Sequence, residues 1–89
     1  MTIAVIFEFP EDSINKYDKI LELEPQTKDQ PARSSHVSYE LPGGGFGVVD
    51  VWDSEEAFGK FGEILMPAIE KAGVDTSVQP RIFAVHNTM

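Results

Sequence analysis

The chain has 89 residues, 42% of them hydrophobic, which makes one small domain, spanning 1–89, with no room for a second core. It contains no cysteine, which excludes disulfides, thiolate nucleophiles, zinc ribbons and iron-sulfur clusters, so any metal would have to use histidine and carboxylates. A net charge of −8, from 15 acidic against 7 scattered basic residues, repels phosphate backbones, and no nucleic acid partner is expected.

Thr2 to Phe9 is rich in β-branched and aromatic residues and reads as a strand covered on both faces, ended by Pro10. No apolar run approaches the ~20 residues of a membrane span. The first apolar stretch stops at Glu8 without a basic leader or cleavage site, so the chain reads as cytoplasmic with no membrane partner. Asp12 or Ser13 suits the N-cap of a helix whose Ile14, Tyr17, Ile20 and Leu21 fall at helical spacing, and Pro25 stops it. Gln26 to Ser34 is polar, carries Pro31, shows neither period, and is expected to be a mobile loop.

His36 to Leu41 alternates like a strand, Pro42-Gly43-Gly44-Gly45 turns the chain, and Phe46 to Trp52 returns antiparallel as the second arm of a hairpin. The glycines are not a phosphate-binding loop, since no helix with Lys-Ser/Thr follows them. Val48 to Phe61 is the centre of the chain: an alternating strand runs directly into a helix start. Asp53 and Ser54 both suit its N-cap, Glu56 stands three after Asp53 as in a capping box, and Glu55 and Glu56 favour the positive helix end. Ala57, Phe58, Phe61, Ile64, Leu65, Ala68, Ile69 and Ala72 then hold one face for about five turns. Pro67 predicts a kink or break near Leu65, and Gly73 ends the helix. Gly59 and Gly62, off that stripe, suit either close approach of a neighbouring chain or simple tolerance. Arg81 to His86 is the last strand.

The order βαββαβ predicts a ferredoxin-like α+β domain with both helices on one side of an antiparallel sheet. The expected helix side takes Val5 and Phe7; Val37, Tyr39 and Leu41; Val49 and Val51; Phe83 and Val85. The uncovered side takes Ala4, Ile6 and Glu8; His36, Ser38 and Glu40; Val48, Asp50 and Trp52; Ile82, Ala84 and His86. That second face is too apolar for solvent and too polar for a plain core, which marks a ligand or partner surface.

VWDSEEAFGKF, the hairpin SSHVSYELPGGGFGVVDVW, the segment MPAIEKAG and the terminal AVHN together resemble small bacterial proteins of the dimeric α+β barrel superfamily, in its antibiotic biosynthesis monooxygenase-like branch. The resemblance covers nearly the whole chain, and the tryptophan followed by acid-Ser-acid-acid-Ala-Phe is its most specific part. It implies a homodimer in which two uncovered sheet faces pack across a two-fold, with a ligand cavity between each sheet and its helices or loops. Members of the superfamily include cofactor-free oxygenases of phenolic compounds, haem-degrading enzymes, isomerases and proteins with no assigned activity, so the resemblance assigns no reaction. The oxygenase branch's strand-end tryptophan maps onto Trp52. Its Asn, Tyr and Arg partners have no matching positions, Asn87 and Arg33 being candidates by proximity only.

From the residues themselves, His36 is the candidate general base or orienting group, with Asp50 setting its tautomer. An unpartnered carboxylate in a valine-rich strand costs several kcal/mol, so Asp50 is expected to pair with a histidine. Trp52 is the candidate stacking wall or part of the dimer core, and His86 and Ser38 are further contacts to substrate. Tyr17 and Tyr39 read as packing residues. His36, His86 and Asp50 also supply the ligand types of a two-His-one-carboxylate metal site, without a spacing signature, and either histidine could be an axial haem ligand. The reading is a homodimer binding a small aromatic or apolar organic molecule without a tightly bound cofactor or metal. It is open between a cofactor-independent monooxygenase or isomerase and a non-catalytic ligand-binding or structural dimer.

Overall fold

The computed structural model describes residues 1–88. The chain runs β1 (Ile3–Phe9), α1 (Ile14–Leu23), a 3-10 turn (Pro25–Lys28), β2 (Arg33–Glu40), β3 (Phe46–Trp52), α2 (Glu55–Ala72) and β4 (Arg81–Ala84). The strands form one antiparallel sheet in the order β2-β3-β1-β4, the ferredoxin-like arrangement.

Ser54 is the residue that caps α2: its side-chain oxygen accepts from the Ala57 amide at 3.1 Å, and Asp53 stays exposed outside the helix. The helix ends on Gly73 in the left-handed region, with Gly73 N–H donating to Glu70 O and Val74 N–H to Ile69 O, a Schellman motif. Contrary to the sequence expectation, Pro67 does not break it; α2 is continuous over 18 residues. Pro67 lies on the exposed side, where water can take the carbonyl its missing N–H leaves free. The segment after α1 is also more structured than expected. Pro25 opens a 3-10 turn, Thr27 within it is buried, and β2 begins at Arg33 rather than His36.

Register decides the faces. Val5 lies opposite Asp50, Ile3 opposite Trp52 and Phe9 opposite Phe46, so these residues share one side of the sheet. The same side takes His36, paired with Asp50, and Ser38, paired with Val48. Ile3, Val5, Phe7, Phe9, Phe46 and Trp52 form one buried cluster with Ile20, Phe61, Ala68, Ile69 and Ala72 of the two helices. This corrects the face assignment drawn from the sequence. Val5 and Phe7 do meet the helices, but so do His36, Ser38, Val48, Asp50 and Trp52. The uncovered side holds Ala4, Ile6 and Glu8 together with Val37, Tyr39, Val49, Val51 and Phe83. Alternation within each strand holds, but the phase of β1 against β2, β3 and β4 is the reverse of that expected: Ile82 and Ala84, opposite Val5 and Ile3, share the helix-side face, and Phe83, opposite Ala4, lies on the uncovered one.

A bulge interrupts β2. Arg33 lies opposite Trp52 and Ser35 opposite Val51, leaving Ser34 as the extra residue. The insertion shifts the alternation by one, so Arg33 shares the helix-side face with His36, three positions away. At the hairpin, Gly45 has φ of 84° and a Cβ there would stand 2.7 Å from Phe9 O and Pro10 Cα, which is why the turn after β2 requires glycine.

Candidate functional site

β3 carries Asp50 into the space between sheet and helices, where it is 4% exposed, and β2 brings His36 directly opposite. His36 Nδ1 meets Asp50 Oδ1 in a short hydrogen bond. From the first turns of α1, Tyr17 reaches across the gap and its hydroxyl lies 2.6 Å from His36 Nε2. A carboxylate only accepts, so Nδ1 donates; in the neutral ring Nε2 is then the acceptor and the Tyr17 hydroxyl the donor. The result is a linear chain, Tyr17 to His36 to Asp50, in which one polar group from a helix and two from a hairpin satisfy each other inside an apolar layer.

The chain lines a cavity of about 40 Å³ whose other walls include Phe7, Phe9, Ile20, Phe46, Leu65 and Ile69. With ~10–15 Å³ needed per water, the enclosed part holds only a few solvent molecules. Thr27 and Arg33 complete its polar wall. Arg33 donates through Nη2 to Thr27 O at 2.8 Å, and its guanidinium stacks 5.6 Å over the Trp52 ring and 5.5 Å over Phe61. On the far side of Trp52 and Phe61, a groove of about 400 Å³ runs between α2 and the segment Gln30 to Ala32, lined also by Lys60 and Ile64.

The sequence candidates therefore separate. His36 and Asp50 meet. Ser38 shares their face but makes no side-chain hydrogen bond among the described residues. Trp52 is fully buried against Phe58 and Phe61, belongs to the protomer core rather than to an uncovered face, and borders the groove instead of the enclosed cavity. His86 lies beyond β4, is exposed, and is not brought to His36. A metal site from His36, His86 and Asp50 is accordingly not assembled, and among the described residues no group of three His, Asp or Glu is placed to hold an ion. Haem fits poorly too: both ring nitrogens of His36 are engaged, and the enclosed space is far smaller than a macrocycle. Among the described residues, no helix is long and apolar enough to cross a membrane.

Tyr17 was missed as a site residue, although a signal existed. It stands alone as a polar-tipped side chain in the apolar stripe of α1, and a buried tyrosine hydroxyl requires a partner. Thr27 and Arg33 had no such signal, because a 3-10 turn and a bulge place them.

With this geometry in hand, comparison with solved structures identifies the fold. The chain is similar to Rv0793 from Mycobacterium tuberculosis, with 17% identity, 99% of this chain and 98% of that one covered, and a TM-score of 0.74. It is similar to SnoaB, a cofactor-independent oxygenase from Streptomyces nogalater, at 14% identity over 99% and 95% of the two chains with a TM-score of 0.67. A third likeness is a candidate antibiotic biosynthesis monooxygenase from Deinococcus radiodurans, at 11% identity over 100% and 96%, TM-score 0.67. No family model matches the sequence, and no curated protein does. The fold is that of the antibiotic biosynthesis monooxygenase-like proteins, the resemblance expected from the sequence.

Proposed function

We propose that two copies of this chain pack by their uncovered sheet faces, and that each binds a small aromatic or apolar organic molecule carrying an acidic proton. In this reading the protein removes that proton without a tightly bound cofactor, as the opening step of an oxygenation or an isomerisation. The observation that carries the reading is the Tyr17–His36–Asp50 chain on the wall of an otherwise apolar cavity. A histidine whose tautomer a buried carboxylate fixes and whose free nitrogen is in hydrogen-bond contact with a hydroxyl has the arrangement of a general base.

His36 Nε2 faces Tyr17 rather than open space, so the proton moves in two linked transfers. The substrate X–H bond breaks as its proton passes to the Tyr17 oxygen, while the Tyr17 O–H bond breaks and its proton passes to His36 Nε2. The substrate is left as an anion and His36 as an imidazolium, whose charge the buried Asp50 carboxylate stabilises. The enclosed volume admits only the reacting edge of an aromatic molecule. That SnoaB is a cofactor-independent oxygenase supports the same class of chemistry on this fold.

The test is solvent deuterium exchange into the α-carbon of a panel of aryl ketones and other enolisable apolar ketones, carbon acids whose uncatalysed exchange is slow, followed by NMR. The protein is expected to accelerate exchange, with Tyr17→Phe and His36→Ala each losing about 10²-fold or more. Tyr17→Phe should melt within a few degrees of wild type, while His36→Ala, which leaves the buried Asp50 without its partner, should melt lower and is assayed well below its own midpoint. Exchange no faster than the buffer rate for the whole panel, or equal rates in wild type and both variants, would leave the non-catalytic dimer as the better reading.

A further inference from the structure

The polar wall of the cavity contains a cation that the proton-transfer chain does not use. Among the described residues Arg33 has no carboxylate within ion-pair distance, in a chain with 15 acidic side chains. Its acceptors are the backbone carbonyls of Thr27 and Lys28, both reached through Nη2 alone. A guanidinium carries five donors, so those on Nε and Nη1 have no protein acceptor. Beneath it, Trp52 is fully buried and its Nε1 has no hydrogen-bond partner. Among the described residues Trp52 Nε1 is the buried donor left unmatched, where buried donors are ordinarily paired, whereas the free donors of Arg33 remain accessible to solvent and so to a ligand.

The placement of this cation is a product of the fold. Without the Ser34 bulge, Arg33 and His36 would alternate to opposite faces; with it, both line the same cavity. Thr27 O and the mutually tilted rings of Trp52 and Phe61, 5.6 and 5.5 Å from the guanidinium carbon, restrain the guanidinium. A fixed planar fork of donors is matched to a planar oxygen anion.

We infer that Arg33 is the specificity residue of this site and selects a ligand with a planar oxyanion, a carboxylate or an ionised enol or phenol, on an apolar body. The inference rests on the proposed small-molecule site and adds its substrate class. It also completes the chemistry there: the negative charge left when the proton departs settles opposite Arg33, while the proton settles on His36.

Benzoate and its neutral isostere benzamide are titrated against wild type, Arg33→Gln and Arg33→Lys, read through the emission of Trp52, the single tryptophan of the chain. Amide chemical shifts confirm the site. Wild type is expected to bind benzoate saturably and at least about tenfold more tightly than benzamide. Arg33→Gln keeps a donor for Thr27 O but should lose that preference, and Arg33→Lys should restore part of it. Equal binding of the two probes, no saturable benzoate response in wild type, or an undiminished preference in Arg33→Gln would overturn the assignment. If Arg33→Gln melts early, the wild-type preference and Arg33→Lys still decide. Failure here is distinguishable from failure of the proton-transfer reading. A benzoate preference without deuterium exchange removes the chemistry and leaves the anion subsite, and exchange without the preference does the reverse.

Discussion

Asp50 and Trp52 stand two residues apart on β3 and are both almost excluded from solvent, yet burial means different things for them. Asp50 is tolerated because His36 meets it; its burial is tied to a polar chain. Trp52 is held by Phe58, Phe61 and the Arg33 guanidinium, so its burial is packing of the protomer itself. Trp52→Ala is therefore expected to destabilise the folded chain by ~3–5 kcal/mol in denaturant titrations, since it empties a core position rather than an interface. An unchanged midpoint with weakened self-association would contradict this placement. Tyr39 supplies a residue-scale pH effect on the opposite face. Burial pushes its phenol above its ordinary value of 10.0, and the Glu8 carboxylate, which accepts its proton at 2.9 Å, adds to the shift while Arg81 partly opposes it. The folded chain thus keeps that proton when the unfolded chain has begun to lose it. The stabilisation is complete below about pH 10 and declines as pH rises beyond it. Tyr39→Phe should flatten this alkaline decline in stability measured from pH 8 to 11.

At the scale of the element, α2 shows how local chemistry and tertiary context divide the work. Its start and end are set by Ser54 and Gly73, whose side-chain oxygen and left-handed backbone satisfy terminal amides and carbonyls. Ser54→Ala is expected to cost about 1 kcal/mol, and Asp53→Ala clearly less, because only Ser54 caps. Equal losses from the two in urea unfolding would show that the cap is shared. The interior of α2 was less legible. A proline at position 67 predicts a break only if its neighbours cannot compensate, and whether water reaches the freed carbonyl depends on which way that turn faces in the folded chain. The turn Pro25–Lys28 was invisible for a related reason: 3-10 turns have no periodic apolar signature, and this one is anchored by the buried Thr27, whose hydroxyl donates to Glu24 O at 2.7 Å.

For the molecule as a whole, the two helices cover one face of the sheet and leave the other bearing Ile6, Val37, Val49, Val51 and Phe83. Val37 is 54% exposed and Phe83 51% in the single chain. An apolar face of that kind is the surface by which a second copy is proposed to pack. Wild type should sediment as a dimer at micromolar concentration. Val37→Asp, which places a charge in the middle of the face without touching the helix-side core, should shift it to folded monomers. A wild type that is monomeric and stable throughout would sink the barrel assembly.

The residues alone determined the two helices and four strands, the hairpin, the Gly73 stop of α2 and the ferredoxin-like order, because each of these is written in short-range periodicity and in the backbone chemistry of a few turn residues. They also determined that His36 and Asp50 share a face, since both lie on arms of one tight hairpin whose register the turn constrains. Which face that was could not be read locally. β1 pairs with β3 across some forty intervening residues with no tight turn to constrain the register, and a one-residue difference in that pairing exchanges core for surface along a whole strand. Tertiary structure alone decided that the histidine and carboxylate point inward, that Tyr17 arrives from a helix to meet them, and that a bulge turns Arg33 toward the same cavity. Each of these depends on the packing of segments distant in sequence, where position is fixed by the pairing of surfaces and not by the identity of neighbours along the chain.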